Sequence, residues 1–328
     1  MKVVYALGIG EANDSYLARL KPLYPAGTDI ELVEYDETNP TPFYEAIKDA
    51  DGIVTAYIEF DKAMIDRAEK CRVISIGATG FNAVDIHYAR EKGIPVCAIG
   101  EYCTQEVADH TLTLMMALER QIPLIQKSVQ EDKKWDGMIC RGNRRLEGMT
   151  LGIFGFGKIG QAVGRRAGGF GIHVIAYDPY LPPEIAKKQG VELVSMDQIF
   201  EEADIISIHM NLLPENEALF NKNTFAKLKK KPTIINAARG AMIVEDDLVE
   251  ALDKGLVRAA GLDVLEDEFP DMNTCKLVGR PNVILSPHVA YYSETSVRLS
   301  VEITASNVLK CLEGDYKGAF RVVNGVGQ

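Results

Sequence analysis

Apolar residues in this chain follow two alternating patterns. Short, nearly continuous apolar blocks at 3–7, 30–35, 52–56, 73–77 and 96–99 predict strands. Between them, 16–21, 43–48, 62–70 and 84–92 carry apolar positions at helical spacing. Strands regularly separated by helices imply a parallel sheet covered on both faces. A second set of blocks, at 150–154, 173–177, 205–209, 233–236, 259–263 and 283–285, predicts six further strands of the same kind. Segment 104–122, TQEVADHTLTLMMALERQI, lies between the two sets and places Val107, Ala108, Leu112, Leu114, Met115, Met116, Ala117 and Leu118 on nearly every side of a helix. A helix apolar all round is buried between layers or subunits, so this one is expected at a domain junction and in a homodimer interface. The last helical pattern, 293–312, stops near Gly314 and follows a completed second sheet. It is therefore expected to pack back on the first. The pattern predicts an α/β chain of two doubly wound parallel-sheet domains, 1–102 with 291–328 and 103–290, with a cleft between them.

One stretch joins this pattern to a chemistry. The block ending at Phe154 runs into Gly155-Phe156-Gly157-Lys158-Ile159-Gly160, then a helix, then a strand closed by Asp178. Gly155 permits a tight turn, Gly157 lets backbone approach a pyrophosphate, and Gly160 allows close packing. The free N–H groups of the helix N-terminus would hold the phosphates. Asp178 stands where a carboxylate accepts from a ribose diol. It would also repel a 2′-phosphate, and Pro179-Tyr180-Leu181 offers no arginine to receive one, so NAD is preferred over NADP. In the first domain the turn Gly77-Ala78-Thr79-Gly80-Phe81-Asn82 follows a strand, and its small residues could leave N–H groups free for a carboxylate. An ordinary strand-to-helix turn would look the same.

Totals narrow the classes of partner. The net charge of −11 argues against nucleic acid or an anionic membrane, and no apolar run is long enough to span a bilayer. The six cysteines lack CxxC spacing and no secretory leader pattern precedes the first strand. Reduced thiols in a cytoplasmic protein are expected, with no metal site.

Ligands of open parallel sheets bind outside the carboxyl ends of the strands. Three polar residues stand there: Arg239 within Asn236-Ala237-Ala238-Arg239-Gly240, Glu268 five residues past Asp263, and His288 after Ser286-Pro287. Singly, each has an ordinary reading as a surface arginine, one acid of a cluster, or a loop imidazole. Together beside a nicotinamide they suit interconversion of a 2-hydroxy acid and a 2-oxo acid. A guanidinium binds a carboxylate bidentately, an imidazole exchanges the proton that accompanies hydride, and a neighbouring carboxylate fixes that ring. Asp263 could hold the nicotinamide carboxamide.

GFGKIG with Asp178, NAARG, GLDVLEDE and SPHVAYYSE, in this order and spacing, resemble the signature segments of the D-isomer-specific 2-hydroxyacid dehydrogenases across essentially the whole chain. The resemblance implies a Rossmann NAD domain inserted into a flavodoxin-like substrate domain, and a dimer built on segment 104–122. It assigns Arg239 to the substrate carboxylate and carbonyl, His288 to acid–base exchange and Glu268 to its partner. Cofactor contacts would be Gly155, Gly157, Lys158, Ile159, Gly160, Asp178, His209, Met210, Asn211, Asn216, Ala237, Ala238 and Asp263. Ala78, Thr79 and Gly80 would form the backbone carboxylate site. Tyr102 and the run Ala290–Glu294 are similar to the D-lactate and D-2-hydroxyisocaproate dehydrogenase branch, which makes Tyr102 and Tyr291 pocket residues. Asn82, Asn211 and Phe269 depart from that branch. The alternatives are a phosphoglycerate or glycerate dehydrogenase, for which the turn 77–82 offers no cation, and an NAD(H)-sensing protein resembling the family's corepressors.

Overall fold

The computed structural model describes residues 1–327, which fall into two compact units: Met1–Tyr102 with Ser293 onward, and Cys103–Tyr292. The first unit holds a five-stranded parallel sheet of β1 (Lys2–Leu7), β2 (Asp29–Glu34), β3 (Gly52–Thr55), β4 (Val73–Ile76) and β5 (Val96–Ala98). Their order, β2-β1-β3-β4-β5, is that of flavodoxin-like folds. The second unit holds β6 (Thr150–Phe154), β7 (His173–Tyr177), β8 (Glu192–Leu193), β9 (Ile205–Ile208), β10 (Thr233–Asn236), β11 (Ala259–Leu262) and β12 (Val283–Leu285). Its order, β12-β11-β10-β9-β6-β7-β8, is the Rossmann order extended by a strand. All pairings in both sheets are parallel. Pattern reading predicts six strands in the second sheet and the structure has seven, because two-residue β8 carries too little sequence to show a period.

These strands read as apolar runs because helices cover both faces. In the second unit one core gathers Leu151, Ile153, Val163 and Met115, and the other gathers Phe154, Ile206, Ile234 and Leu262. The helix Glu294–Leu312 begins at a capping box, with Ser293 and Ser296 each bonding the other's backbone N–H. It lies so close to β3 that a Cβ at Gly52 would sit 2.8 Å from Val308 Cγ1.

Thr104–Glu119 is a single helix with both long faces covered inside its own unit. A Cβ on Gly261 of β11 would meet Leu114 at 3.1 Å and Leu118 at 3.2 Å, and Leu112, Met115 and Leu118 share a core with Val163 and Ala167 of the helix Lys158–Gly168. Most of its apolar circumference thus packs within its own unit, leaving Met116 and Ala117 half-buried. The helix ends in a buried charge. The Glu119 carboxylate, wholly inaccessible, accepts from Arg144 at 3.0 and 2.6 Å and from the Thr233 hydroxyl at 2.5 Å. Arg144 Nη2 also donates to the Asp204 carbonyl, linking the helix to β9 and β10.

Removing Glu119 leaves the Thr233 hydroxyl and part of the Arg144 guanidinium without their acceptor, Asp204 remaining beside the arginine, so Glu119→Ala is expected to cost roughly 1–3 kcal/mol of stability. Urea unfolding followed by circular dichroism checks this: the midpoint should fall, and an unchanged midpoint would show that the pair contributes nothing.

Candidate active site

Phosphate-loop geometry follows from close approaches that only glycine tolerates. Gly155 has φ +87°, and a Cβ there would lie 2.7 Å from Met210 N and 2.8 Å from the His209 carbonyl. At Gly160 a Cβ would lie 2.2 Å from the Gly155 carbonyl oxygen, so the helix Lys158–Gly168 starts directly against the turn. A Cβ at Gly157, in contrast, would meet nothing within 4 Å. The N–H groups of Gly157, Ile159 and Gly160 find no acceptor among the described residues. A cradle of free N–H groups opening on empty space at a helix N-terminus fits a pyrophosphate. Asp178, at the end of β7, accepts from Phe156 N at 2.9 Å and from Tyr180 N and Leu181 N at 3.0 and 3.1 Å. It therefore shapes the glycine loop.

Other expected cofactor residues divide into those that face outward and those that hold their own loops. Ala237 and Ala238 are half-buried, in a turn shaped by buried Asn236, which accepts from Ala238 N at 3.0 Å and donates to the Arg239 carbonyl at 3.0 Å. Asn216 is 9% exposed and spends its amide on Asn211 O and Leu213 N, both at 2.8 Å, while Asn211 is exposed. Met210 is half-buried beside Gly155. Burial pushes the His209 imidazole down to about 3. Its Nε2 lies 2.7 Å from the Ser207 hydroxyl and its Nδ1 is buried without a partner, so it is a neutral structural ring.

The three strand-end residues stand at one edge of the sheet. β10, β11 and β12 are neighbours, with Asn236 paired to Leu262 and Leu262 to Leu285, so their exits are about 5 Å apart per strand. Loops after β10 and β11 are pressed together, a Cβ at Gly240 lying 1.7 Å from the Leu265 carbonyl oxygen. Arg239 is half-buried; its Nη1 donates to Ala238 O at 2.7 Å, and no carboxylate of the described residues pairs with it. His288 Nδ1 lies 3.0 Å from Glu268 Oε2, both side chains being partly exposed. The His288 backbone is left-handed, φ +51°, a conformation that costs a non-glycine residue of order 1 kcal/mol or more.

Asp263 supplies the compensation. Its carboxylate, 2% exposed as a residue, accepts from Ser286 Oγ at 2.6 Å, Val289 N at 3.0 Å and Ala290 N at 2.9 Å. Its carbonyl accepts from His288 N at 2.8 Å. Three of the roughly four acceptor positions of a carboxylate are thus filled by the loop carrying His288. This leaves little for a carboxamide, and the residue's principal contacts are with the loop. Tyr291 lies edge-on to His288 with ring centroids 6.5 Å apart.

In the first unit, nothing among the described residues accepts the N–H groups of Ala78, Thr79 and Gly80, while the Thr79 hydroxyl donates to Gly100 O at 3.0 Å. Tyr102 is buried. The turn itself offers no cation, as expected, but one comes from elsewhere in the unit: the Arg321 guanidinium lies 5.6 Å from the centre of the Phe81 ring. Arg321 arrives there because Val322 bridges antiparallel to Cys97, a pairing invisible at that separation in sequence. Sequence reasoning also passed over Ser286, Asn236 and His110. The first two lie inside motifs noted for their neighbours, and His110 is masked by a helix that reads as core. No described helix is long and apolar enough to cross a membrane, and no described cluster of His, Cys, Asp or Glu could hold a metal.

Residues 112–290 match the family model for the NAD-binding domain of D-isomer specific 2-hydroxyacid dehydrogenases. The chain is 34% identical to a hydroxypyruvate reductase of Blautia hydrogenotrophica over 87% of this chain and 90% of that protein. It is 39% identical to a D-3-phosphoglycerate dehydrogenase of Methanocaldococcus jannaschii over 85% of this chain, yet spans only 53% of that protein. Among solved structures, a D-lactate dehydrogenase of Aquifex aeolicus, complexed with NAD and lactic acid, superposes with a TM-score of 0.85 at 28% identity, covering 98% of this chain and 99% of that one.

Two outcomes follow from the local geometry. Gly160→Ala should weaken NADH binding at least about tenfold, equivalent to ~1.4 kcal/mol, as read by quenching of protein fluorescence; unchanged affinity would contradict the close approach. Because the folded His209 stays neutral well below its ordinary value, the unfolded chain takes up a proton first as pH falls. Stability carried by His209 is present above about pH 6.5 and lost progressively towards pH 3. Thermal melting between pH 7 and pH 4 should show a shallower acid slope for His209→Asn than for the parent.

Proposed function

The chain belongs to the D-isomer-specific 2-hydroxyacid dehydrogenases, NAD-dependent oxidoreductases acting on CH–OH groups, and from that premise we propose that it reduces a small 2-oxo acid with an apolar side chain to the D-2-hydroxy acid. The observation that carries the reading is a guanidinium with no carboxylate partner among the described residues and an imidazole tied to Glu268, on loops leaving neighbouring strands.

NAD, when bound, supplies or accepts the hydride. Gly155, Gly157, Lys158, Ile159 and Gly160 would hold its pyrophosphate and Asp178 its ribose, with Ala237, Ala238 and Met210 lining the remainder. Arg239 binds the substrate carboxylate bidentately and polarises the adjacent carbonyl, and desolvation within a half-buried loop strengthens both interactions. Glu268 holds Nδ1 of His288, which leaves Nε2 to exchange the proton with the substrate oxygen. Within the first unit, the N–H groups of Ala78, Thr79 and Gly80, unaccepted among the described residues, suit a carboxylate, and we assign Tyr102 there and Tyr291 beside His288 as substrate residues. Asp178 sets the preference for NAD over NADP by repelling a 2′-phosphate. We place the protein in the cytoplasm, in keeping with six free cysteines, and assign it as a homodimer resting on the helix Thr104–Glu119 and the segment beyond it, where Ile122, Trp135 and Met138 are exposed.

A glycerate or phosphoglycerate substrate is the second reading, favoured by Arg321 beside the turn 77–82. A distal phosphate needs such a cation. The His288–Glu268 pair disfavours a cofactor-sensing role without turnover.

Steady-state assays with NADH and pyruvate, 2-oxoisocaproate, phenylpyruvate, hydroxypyruvate and phosphohydroxypyruvate test the assignment. The apolar oxo acids should show the higher kcat/KM. Preference for phosphohydroxypyruvate, abolished by Arg321→Ala, would establish the second reading, and no turnover with any of the five would remove both. His288→Asn should lower kcat by about 10²–10⁴ with NADH affinity kept.

A further inference from the structure

We propose that His110 and Ser286 form, with Asp263, a hydrogen-bonded relay that positions His288, and that His110 enters it as an obligatory proton donor. The inference rests on the acid–base assignment of His288 and extends it to a residue on a different element, the helix Thr104–Glu119.

Proton counting fixes the direction of each bond. A buried ionised carboxylate only accepts, so the 2.6 Å contact from Ser286 Oγ to Asp263 Oδ1 uses the hydroxyl's single proton. His110 Nε2 lies 2.9 Å from the same Oγ. Having no proton left, that oxygen accepts, and His110 donates from Nε2. The same nitrogen is 3.5 Å from Asp263 Oδ1, so its N–H dipole also faces the carboxylate. Asp263 in turn holds Val289 N and Ala290 N through its side chain and His288 N through its carbonyl.

His288 is the element that needs this support. Its left-handed backbone, φ +51°, persists only where its surroundings impose it, and residues on both sides are bonded to Asp263. Ser286 donates its side-chain hydroxyl to that carboxylate at 2.6 Å, and His110 sets the rotamer in which the hydroxyl points at it. Loss of the imidazole N–H frees the hydroxyl to rotate and loosens residues 286–290 without touching Arg239, Glu268 or the glycine loop. His110 and Ser286 are therefore positioning residues rather than groups that meet the substrate.

The test compares Ser286→Ala, His110→Leu, the double variant and His110→Gln, whose amide nitrogen reaches the position of Nε2 and can donate. Ser286→Ala and His110→Leu should each lower kcat about tenfold with the KM for NADH within about twofold, and the double variant should be no slower than the slower single one. His110→Gln should recover most of the parent kcat, which a packing role would not restore. Parent-like kcat in both single variants, multiplying losses in the double, or a His110→Gln as slow as His110→Leu would each overturn the relay. Should His110→Leu fail to fold, Ser286→Ala with His110→Gln still decides: slow serine variant and fast glutamine variant support it, any other pairing does not. His288→Asn, assayed alongside, separates the two claims. If it is slow while the relay variants are fast, only the relay falls; if it turns over normally, the acid–base assignment falls, and the relay with it.

Discussion

Parallel pairing is the constraint on which this molecule depends. A parallel strand must be reached by a crossover, so each strand starts at one edge of the sheet and leaves at the other. In the second unit that rule delivers the glycine loop after β6, Asp178 after β7, Arg239 after β10, Asp263 after β11 and His288 after β12 to the same edge. Residues more than a hundred positions apart in sequence become neighbours without any attraction between them. The covering helices, and the apolar character of the strands themselves, are consequences of the same arrangement.

Within that edge, the local geometry is costly and is offset by polar groups that bond the loop backbones. Asn236 folds the turn before Arg239, Asp178 holds Phe156 N, and Asp263 holds the loop of His288. Each is a buried or half-buried carboxylate or amide bonded to loop N–H groups that would otherwise lack partners. Gly155, Gly160 and Gly240 add the complementary device: they remove the Cβ where two loops must touch.

Much of this was legible beforehand. Strands buried on both faces leave continuous apolar runs, and the glycine spacing with Asp178 follows from local backbone demands. The helix Thr104–Glu119 was harder. Its apolar circumference signals burial without saying by what, and β11 with the helix Lys158–Gly168 turn out to cover most of it, with Met116 and Ala117 left half-buried. Strand β8 is too short to show a period. Arg321 could not be placed near Phe81, because Val322 joins β5 across more than two hundred residues. Of the residues expected to face a cofactor, Asn216 spends its amide on its own loop and Asp263 most of its carboxylate on the loop of His288.

Sequence alone determined the class of fold, the phosphate loop and which side chains are candidates for the chemistry, since periodicity, glycine placement and functional-group chemistry are properties of short segments. Tertiary structure alone decided which hydrogen bonds hold those side chains, that His288 sits in a left-handed backbone, and that His110 reaches Ser286 from another helix. These depend on distances between segments far apart in the chain, and a one-dimensional pattern carries no such distances.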